Sequence, residues 1–121
     1  GPLFFPGTPA WRTRREDFDL MVGELVTELI RRWPQVATIE FAVEDVPPSN
    51  PAPWESHNVV VARIFPADRR RGLRDRIVVY RLPITLRCAP EEVALMTRRV
   101  LIERISHILA LPPDEIDDAM R

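Results

Sequence analysis

An apolar stripe near the start of the chain constrains the fold more than any other feature of the sequence. Large apolar side chains recur at intervals of three and four through residues 18–33, which is the spacing of one helix face. Thr13 and Glu16 form a capping-box sequence just before the stripe, and Pro34 follows it and stops a helix. The pattern predicts a helix over residues 14–33 whose stripe packs on a core.

The rest of the chain combines strand patterns with a second helix. Residues 38–46 alternate apolar and polar side chains, residues 58–65 form a second predicted strand, and residues 77–87 form a third. Pro83 interrupts the third strand, which is therefore predicted to be an edge strand or to carry a bulge. Residues 90–111 predict the second main helix. The sequence predicts an α+β fold, with two main helices packed on one face of a small mixed or antiparallel sheet of three to four strands.

Length and composition predict one domain without membrane or disulfide chemistry. A chain of 121 residues with 45% hydrophobic and 29% charged residues is typical of a single globular domain, here residues 13–121 after an irregular arm of residues 1–12. Cys88 is alone, which excludes an internal disulfide and Cys-rich zinc motifs. No apolar run approaches the length of a membrane span, and no basic segment precedes the first apolar residues. We therefore expect a cytoplasmic protein with no membrane partner.

Three polar side chains converge on one side of the second predicted helix. Glu103 and His107 are four residues apart and share a helix face, and Arg104 lies at its edge. A His-Glu-x-x-His zinc site needs this geometry, because two imidazoles at i and i+4 bind the metal and the Glu activates the bound water. In that pattern Glu103 stands at the first His, Arg104 at the general base and His107 at the second His.

Several segments of the sequence resemble those of a known family. They are residues 31–34, 39–48, 50–54, 64–68 and 76–81, together with the last helix. Over most of its length the chain resembles the small zincin-like metallopeptidases of bacteria, the minimal zincins. The resemblance implies a zincin-like fold and the pattern His-Glu-x-x-His-x-x-Gly-x-x-Asp.

The chain departs from that pattern at most of its functional positions. His107 matches, but Ala110 replaces the Gly, and Pro113 replaces the Asp with Asp114 one residue late. Arg104 stays protonated, so it cannot accept a proton from a metal-bound water, and its charge opposes a dication. We therefore expect a degenerate active site, a pseudoenzyme without zinc or another cofactor and without a catalytic residue.

The leading prediction is a domain that binds a peptide or protein partner. In zincins an edge strand beside the zinc helix pairs with extended substrate, so the resemblance implies a groove between the third strand and the last helix. The predicted groove residues are Tyr80, Leu82, Ile84, Arg104 and His107. The simplest alternative is a vestigial polar patch, in which Glu103 and His107 form a surface pair that stabilises the helix by ~0.2–0.5 kcal/mol.

Two further functions remain open. The first is an active zinc hydrolase with Glu103, His107 and a carboxylate as ligands. The candidate carboxylates are Asp114, Glu115 and Asp117, the candidate bases are Glu40 and Glu44, and His57 is a loop residue more typical of a solvated side chain. The second is a nucleic-acid or ribosome-associated module that uses the arginine-rich turn of residues 69–76. The net charge of −1 and the lack of an aromatic residue within the turn argue against it.

Overall fold

The computed structural model describes residues 13–48 and 60–112. They form an α+β fold whose elements, in chain order, are α1 (Arg14–Arg32), β1 (Glu40–Glu44), β2 (Ala62–Phe65), β3 (Arg76–Tyr80), α2 (Arg81–Thr85) and α3 (Val93–Leu109). The predicted arm of residues 1–12, most of the loop of residues 47–57 including His57, and the C-terminal residues from Pro113 onward lie outside the described residues.

Helix α1 begins and ends as its sequence predicts. The Thr13 hydroxyl accepts a hydrogen bond from the Glu16 amide at 3.1 Å, and the Glu16 carboxylate accepts one from the Thr13 amide at 3.3 Å. This capping box satisfies two backbone donors that the helix itself leaves unpaired. At the other end Pro34 starts a short 3₁₀ helix, Pro34–Thr38, which leads into β1.

The sheet is mixed, and β3 is its central strand. The strand order is β1-β3-β2, with β1 parallel and β2 antiparallel to β3. Ile77 and Val79 point to the face on which both main helices pack, so the prediction of two helices on one face is confirmed. The buried residues of the core are Phe18, Val22 and Leu29 of α1, Val36, Ile39, Ile77, Val79 and Ile84, and Leu101, Ile102 and Ile105 of α3.

The prediction of one strand over residues 77–87 is wrong. The strand ends at Tyr80, and Arg81–Thr85 form α2. Pro83 is the third residue of this helix, within the first turn, where a missing N–H costs nothing because that donor has no intrahelical partner. Asp45 fixes the reversal, since its carboxylate accepts from Arg81 Nε at 3.0 Å and its carbonyl accepts from the Leu82 amide at 3.0 Å.

It follows that the third strand is not an edge strand. Pro83 never enters the ladder, and β3 is paired on both sides. Within the described residues, the edge strand beside α3 is β2. Helix α3 itself agrees with its prediction, apart from a 3₁₀ turn at Pro90–Glu92 that precedes it. No helix in the described ranges has the length and apolar character needed to cross a membrane.

A tight turn connects β2 to β3. The Asp68 and Leu73 backbones exchange two hydrogen bonds of 2.9 Å, and Arg69–Arg71 form a 3₁₀ turn between them. Gly72 closes the turn at φ 67°, a left-handed conformation that glycine adopts without steric cost. Arg74 then folds back over the sheet and donates to the Glu40 carboxylate at 3.2 Å.

Candidate functional site

The candidate site lies on the outer side of α3. The helix buries Leu101, Ile102 and Ile105 against the core. Glu103 and His107 are exposed on the other side, one turn apart, and Arg104 is half-buried beside them. The helix thus brings together the three polar residues that the sequence singled out, because positions i and i+4 share one helix face and position i+1 lies at its edge.

Arg104 connects this helix to the sheet. Its Nη1 atom donates to Glu103 Oε1 at 2.8 Å, and its Nη2 atom donates to the carbonyl oxygen of Ala62 in β2 at 3.5 Å. The Arg104 side chain is 23% exposed, whereas the Glu103 side chain is 70% exposed. The guanidinium therefore lies between the helix and the strand, and solvent screens its ion pair with Glu103.

The Ala62 carbonyl is one of the backbone groups that β2 turns away from the sheet. The Tyr80 amide donates to the Val61 carbonyl at 2.9 Å, which makes residues 61 and 80 a hydrogen-bonded pair of the antiparallel ladder. Such pairs alternate along a strand, so the N–H and C=O groups of Ala62 and Ile64 point outward. Arg104 therefore occupies one acceptor on the edge of β2 that no described strand pairs with.

An open groove of about 700 Å³ lies beside Ile64 at this edge. It is lined by Ile64 of β2, by Glu103, Arg104, Ser106 and His107 of α3, and by Ala110, Leu111 and Pro112 after the helix. Arg104 and His107, which the sequence predicted as groove residues, are among these lining residues, whereas Ile64 was not predicted. One sequence pattern could have predicted Ile64. It lies in a strand that a turn connects to β3, and such a pattern indicates a hairpin in which the two strands pair.

The other three predicted groove residues do not lie there. Tyr80 and Ile84 are each 1% exposed, and Leu82 belongs to α2. The prediction rested on one edge strand over residues 77–87, whereas among the described strands the edge beside α3 is β2. The groove therefore lies beside β2, and α3 forms its other wall.

The bases suggested for a metal hydrolase also lie elsewhere. Glu40 and Glu44 belong to β1, which β3 separates from β2, and neighbouring strands are ~4.8 Å apart. Their side chains alternate with Phe41 and Val43, which pack on the core, so they lie on the sheet face opposite to α3. Neither carboxylate can therefore serve a reaction beside His107.

The described residues contain no ready metal centre. No three His, Cys, Asp or Glu side chains in residues 13–48 and 60–112 are grouped so that they could hold a metal ion. Glu103 is engaged by Arg104 at 2.8 Å. The proposed third ligands, Asp114, Glu115 and Asp117, lie outside the described residues.

Helix α3 ends with an unusual residue for its conformation. Ala110 has φ 55° and ψ 40°, and its amide donates to the Ser106 carbonyl as the helix closes. Among the described residues it is the only non-glycine with a positive φ. Left-handed geometry at this position is typical of glycine after a helix, and position 110 is where the zincin pattern has its Gly.

Comparison with known proteins identifies no family. No protein-family model matches the chain, and no curated protein matches it significantly in sequence.

Proposed function

We propose that this chain is a zincin-like domain without zinc or peptidase chemistry, and that it binds an extended segment of a peptide or protein partner in the groove between β2 and α3. The observation that carries the proposal is the position of Arg104. It stands where a zincin has its general base, and it bridges Glu103 and the Ala62 carbonyl instead of activating water.

Two features of the structure support the zincin-like part of the proposal. Helix α3 runs beside an antiparallel edge strand, which is the arrangement that the resemblance implies for a zinc helix and its substrate strand. Ala110 is left-handed three residues after His107, where the zincin pattern has the glycine that such a conformation favours. When the zincin pattern is placed on α3, its second His therefore coincides with His107 and its Gly coincides with the left-handed residue Ala110.

The chemistry of Arg104 supports loss of catalysis. A zinc peptidase needs a carboxylate that accepts a proton from the bound water and passes it to the leaving group. A guanidinium has no acceptor site and stays charged, so it cannot perform either step. Its positive charge also opposes a metal ion beside His107.

The free edge of β2 supplies the binding mode. An extended segment can add to β2 through the outward N–H and C=O groups of Ala62 and Ile64, as in other cases of strand addition. It displaces Arg104 from the Ala62 carbonyl, and the released guanidinium meets a carboxylate of the segment in a charge-assisted contact. We therefore expect segments with an Asp or Glu to be preferred.

Selection from a displayed library of random extended peptides tests the proposal. Enriched peptides should carry an acidic residue, and Arg104→Met should weaken their binding at least tenfold. The matched control Arg99→Met removes an exposed arginine from the same helix and should leave the affinity unchanged. Equal effects of the two variants, or no enriched peptide at all, contradict the proposal.

A second pair of variants tests the strand edge itself. Ile64→Pro removes the outward N–H of Ile64, and proline is tolerated at an edge position whose N–H does not enter the ladder. Ile64→Ala removes the same side chain but keeps the donor. The proline variant should therefore lose more peptide affinity than the alanine variant. Equal losses would mean that the peptide does not bind the backbone edge.

A further inference from the structure

The turn between β2 and β3 presents three consecutive arginines. Arg69, Arg70 and Arg71 are all exposed and follow one another in a single 3₁₀ turn. The Asp68 carboxylate accepts from the amides of Arg70 and Arg71 at 3.2 and 3.4 Å. Because Asp68 bonds to the backbone, it shapes the turn without forming an ion pair with the guanidinium groups.

These three charges have no ion-pair partner in the part of the chain that the structure describes. Other arginines do: Arg74 pairs with Glu40 at 3.2 Å and Arg81 pairs with Asp45 at 3.0 Å. The whole chain has a net charge of −1, so the chain without the three turn arginines carries −4. The turn is therefore a local cationic surface on an otherwise acidic protein.

An aromatic ring lies at the foot of the same hairpin. Phe65, the last residue of β2, is 41% exposed, and its cross-strand partner is the exposed Arg76. Both side chains point to the sheet face opposite to the helices, because the neighbouring pair Ile64 and Ile77 points to the core. Phe65 precedes the turn in the chain, so the lack of an aromatic residue within the turn itself does not exclude stacking on this strand.

We propose that this hairpin binds single-stranded nucleic acid, with phosphates on Arg69–Arg71 and a base stacked on Phe65 beside Arg76. Planar guanidinium groups bind phosphate through two parallel hydrogen bonds, and an exposed ring stacks on a base of any sequence. A single strand is favoured over a duplex because stacking on a side chain needs a base that is free of its neighbours. An acidic protein surface would use the arginines but leave Phe65 without a role.

Binding of a labelled oligothymidylate of about twenty nucleotides, followed by fluorescence anisotropy, tests the proposal. If three phosphates are neutralised, the logarithm of the association constant should fall against the logarithm of salt with a slope of about −2. The variant Arg69→Gln/Arg70→Gln/Arg71→Gln should weaken binding at least tenfold and flatten this slope. The matched control Arg14→Gln/Arg31→Gln/Arg99→Gln changes the net charge equally and should shift the affinity less than twofold.

A second comparison isolates the aromatic contact. Phe65→Ala should weaken binding about tenfold without changing the salt slope, because stacking releases no counterions. Leu73→Ala removes an exposed apolar side chain from the same hairpin and should have no effect. Circular dichroism melting curves of all variants exclude unfolding as the cause of a loss.

Four results would overturn the proposal: no binding at low salt, equal losses for the two triple variants, equal affinity for a duplex of the same length, or displacement of the oligonucleotide by polyglutamate at equal charge concentration. The last result would assign the turn to an acidic protein surface. None of these readouts depends on the groove between β2 and α3, so the two proposals stand or fall separately.

Discussion

The Nη2 atom of Arg104 lies 3.5 Å from the carbonyl oxygen of Ala62, and the two residues are 42 positions apart in the chain. This contact joins the polar side of α3 to the edge of β2 that no described strand pairs with. A glutamate at position 104 could not form it, because a carboxylate repels a carbonyl oxygen, whereas a guanidinium donates to it. Arg104, which in our proposal stands at the general-base position of the zincin pattern, therefore also covers part of the edge of β2.

The proposed zincin-like character predicts that zincin residues placed on α3 create zinc affinity. Glu103→His, Arg104→Glu and Pro113→Asp together supply an imidazole pair at i and i+4, a general base and a third ligand. Calorimetric titration should detect zinc binding by the triple variant, together with a melting temperature that rises with zinc. The parent protein, purified without a tag, should carry far less than one zinc per chain by elemental analysis. A folded triple variant with no more affinity than the parent would show that the three positions do not converge.

Replacing Ala110 by glycine should stabilise the protein. Ala110 holds φ 55°, and an L-residue with a Cβ pays roughly 1 kcal/mol for left-handed backbone that glycine adopts freely. We expect Ala110→Gly to raise the free energy of unfolding by about 0.5–1 kcal/mol in urea titrations. The control Ala94→Gly lies in regular helix and should lower it by up to ~1 kcal/mol. Destabilisation at position 110 would contradict the helix end described here.

Two ion pairs at opposite ends of β1 should differ in their contribution to stability. Arg81 is 15% exposed and bonds to Asp45, whose carbonyl also anchors α2, so Asp45→Ala leaves a largely buried charge unpaired. We expect a loss of about 1.5–3 kcal/mol by denaturant unfolding. Glu40→Ala breaks the pair with Arg74, both of whose side chains are about half exposed, and should cost less than ~1 kcal/mol. Equal losses would mean that the Asp45 carboxylate does not stabilise the reversal after β3.

The arginine turn should be dispensable for folding. Arg69, Arg70 and Arg71 form no ion pair within the described residues, so their joint neutralisation should change the free energy of unfolding by less than ~0.5 kcal/mol. Gly72→Val should cost at least ~1 kcal/mol, because a β-branched residue is strained at φ 67°. A large fall in melting temperature for the triple neutralisation would assign the arginines a structural role.

Local signals predicted the two long helices well. The capping box at Thr13, the regular apolar stripe and Pro34 define α1 within a few consecutive residues, and Pro90 with the side chains of residues 100–109 does the same for α3. Such signals act over one or two helical turns, so the sequence contains all the information needed to read them. The three polar residues on α3 followed from the same periodicity.

The sheet and the groove depended on contacts between distant residues. Pro83 is compatible with an interrupted strand and with the first turn of a helix. The helix is stabilised by the hydrogen bonds that Arg81 and Leu82 donate to Asp45, which lies 36 residues before Arg81. The order β1-β3-β2 likewise rests on a parallel pairing between strands far apart in sequence, which no local pattern specifies. The sequence by itself determined which residues α3 presents. Tertiary pairing decided that they face Ala62 and Ile64, because register and strand order are fixed by the burial of a shared core rather than by neighbouring residues.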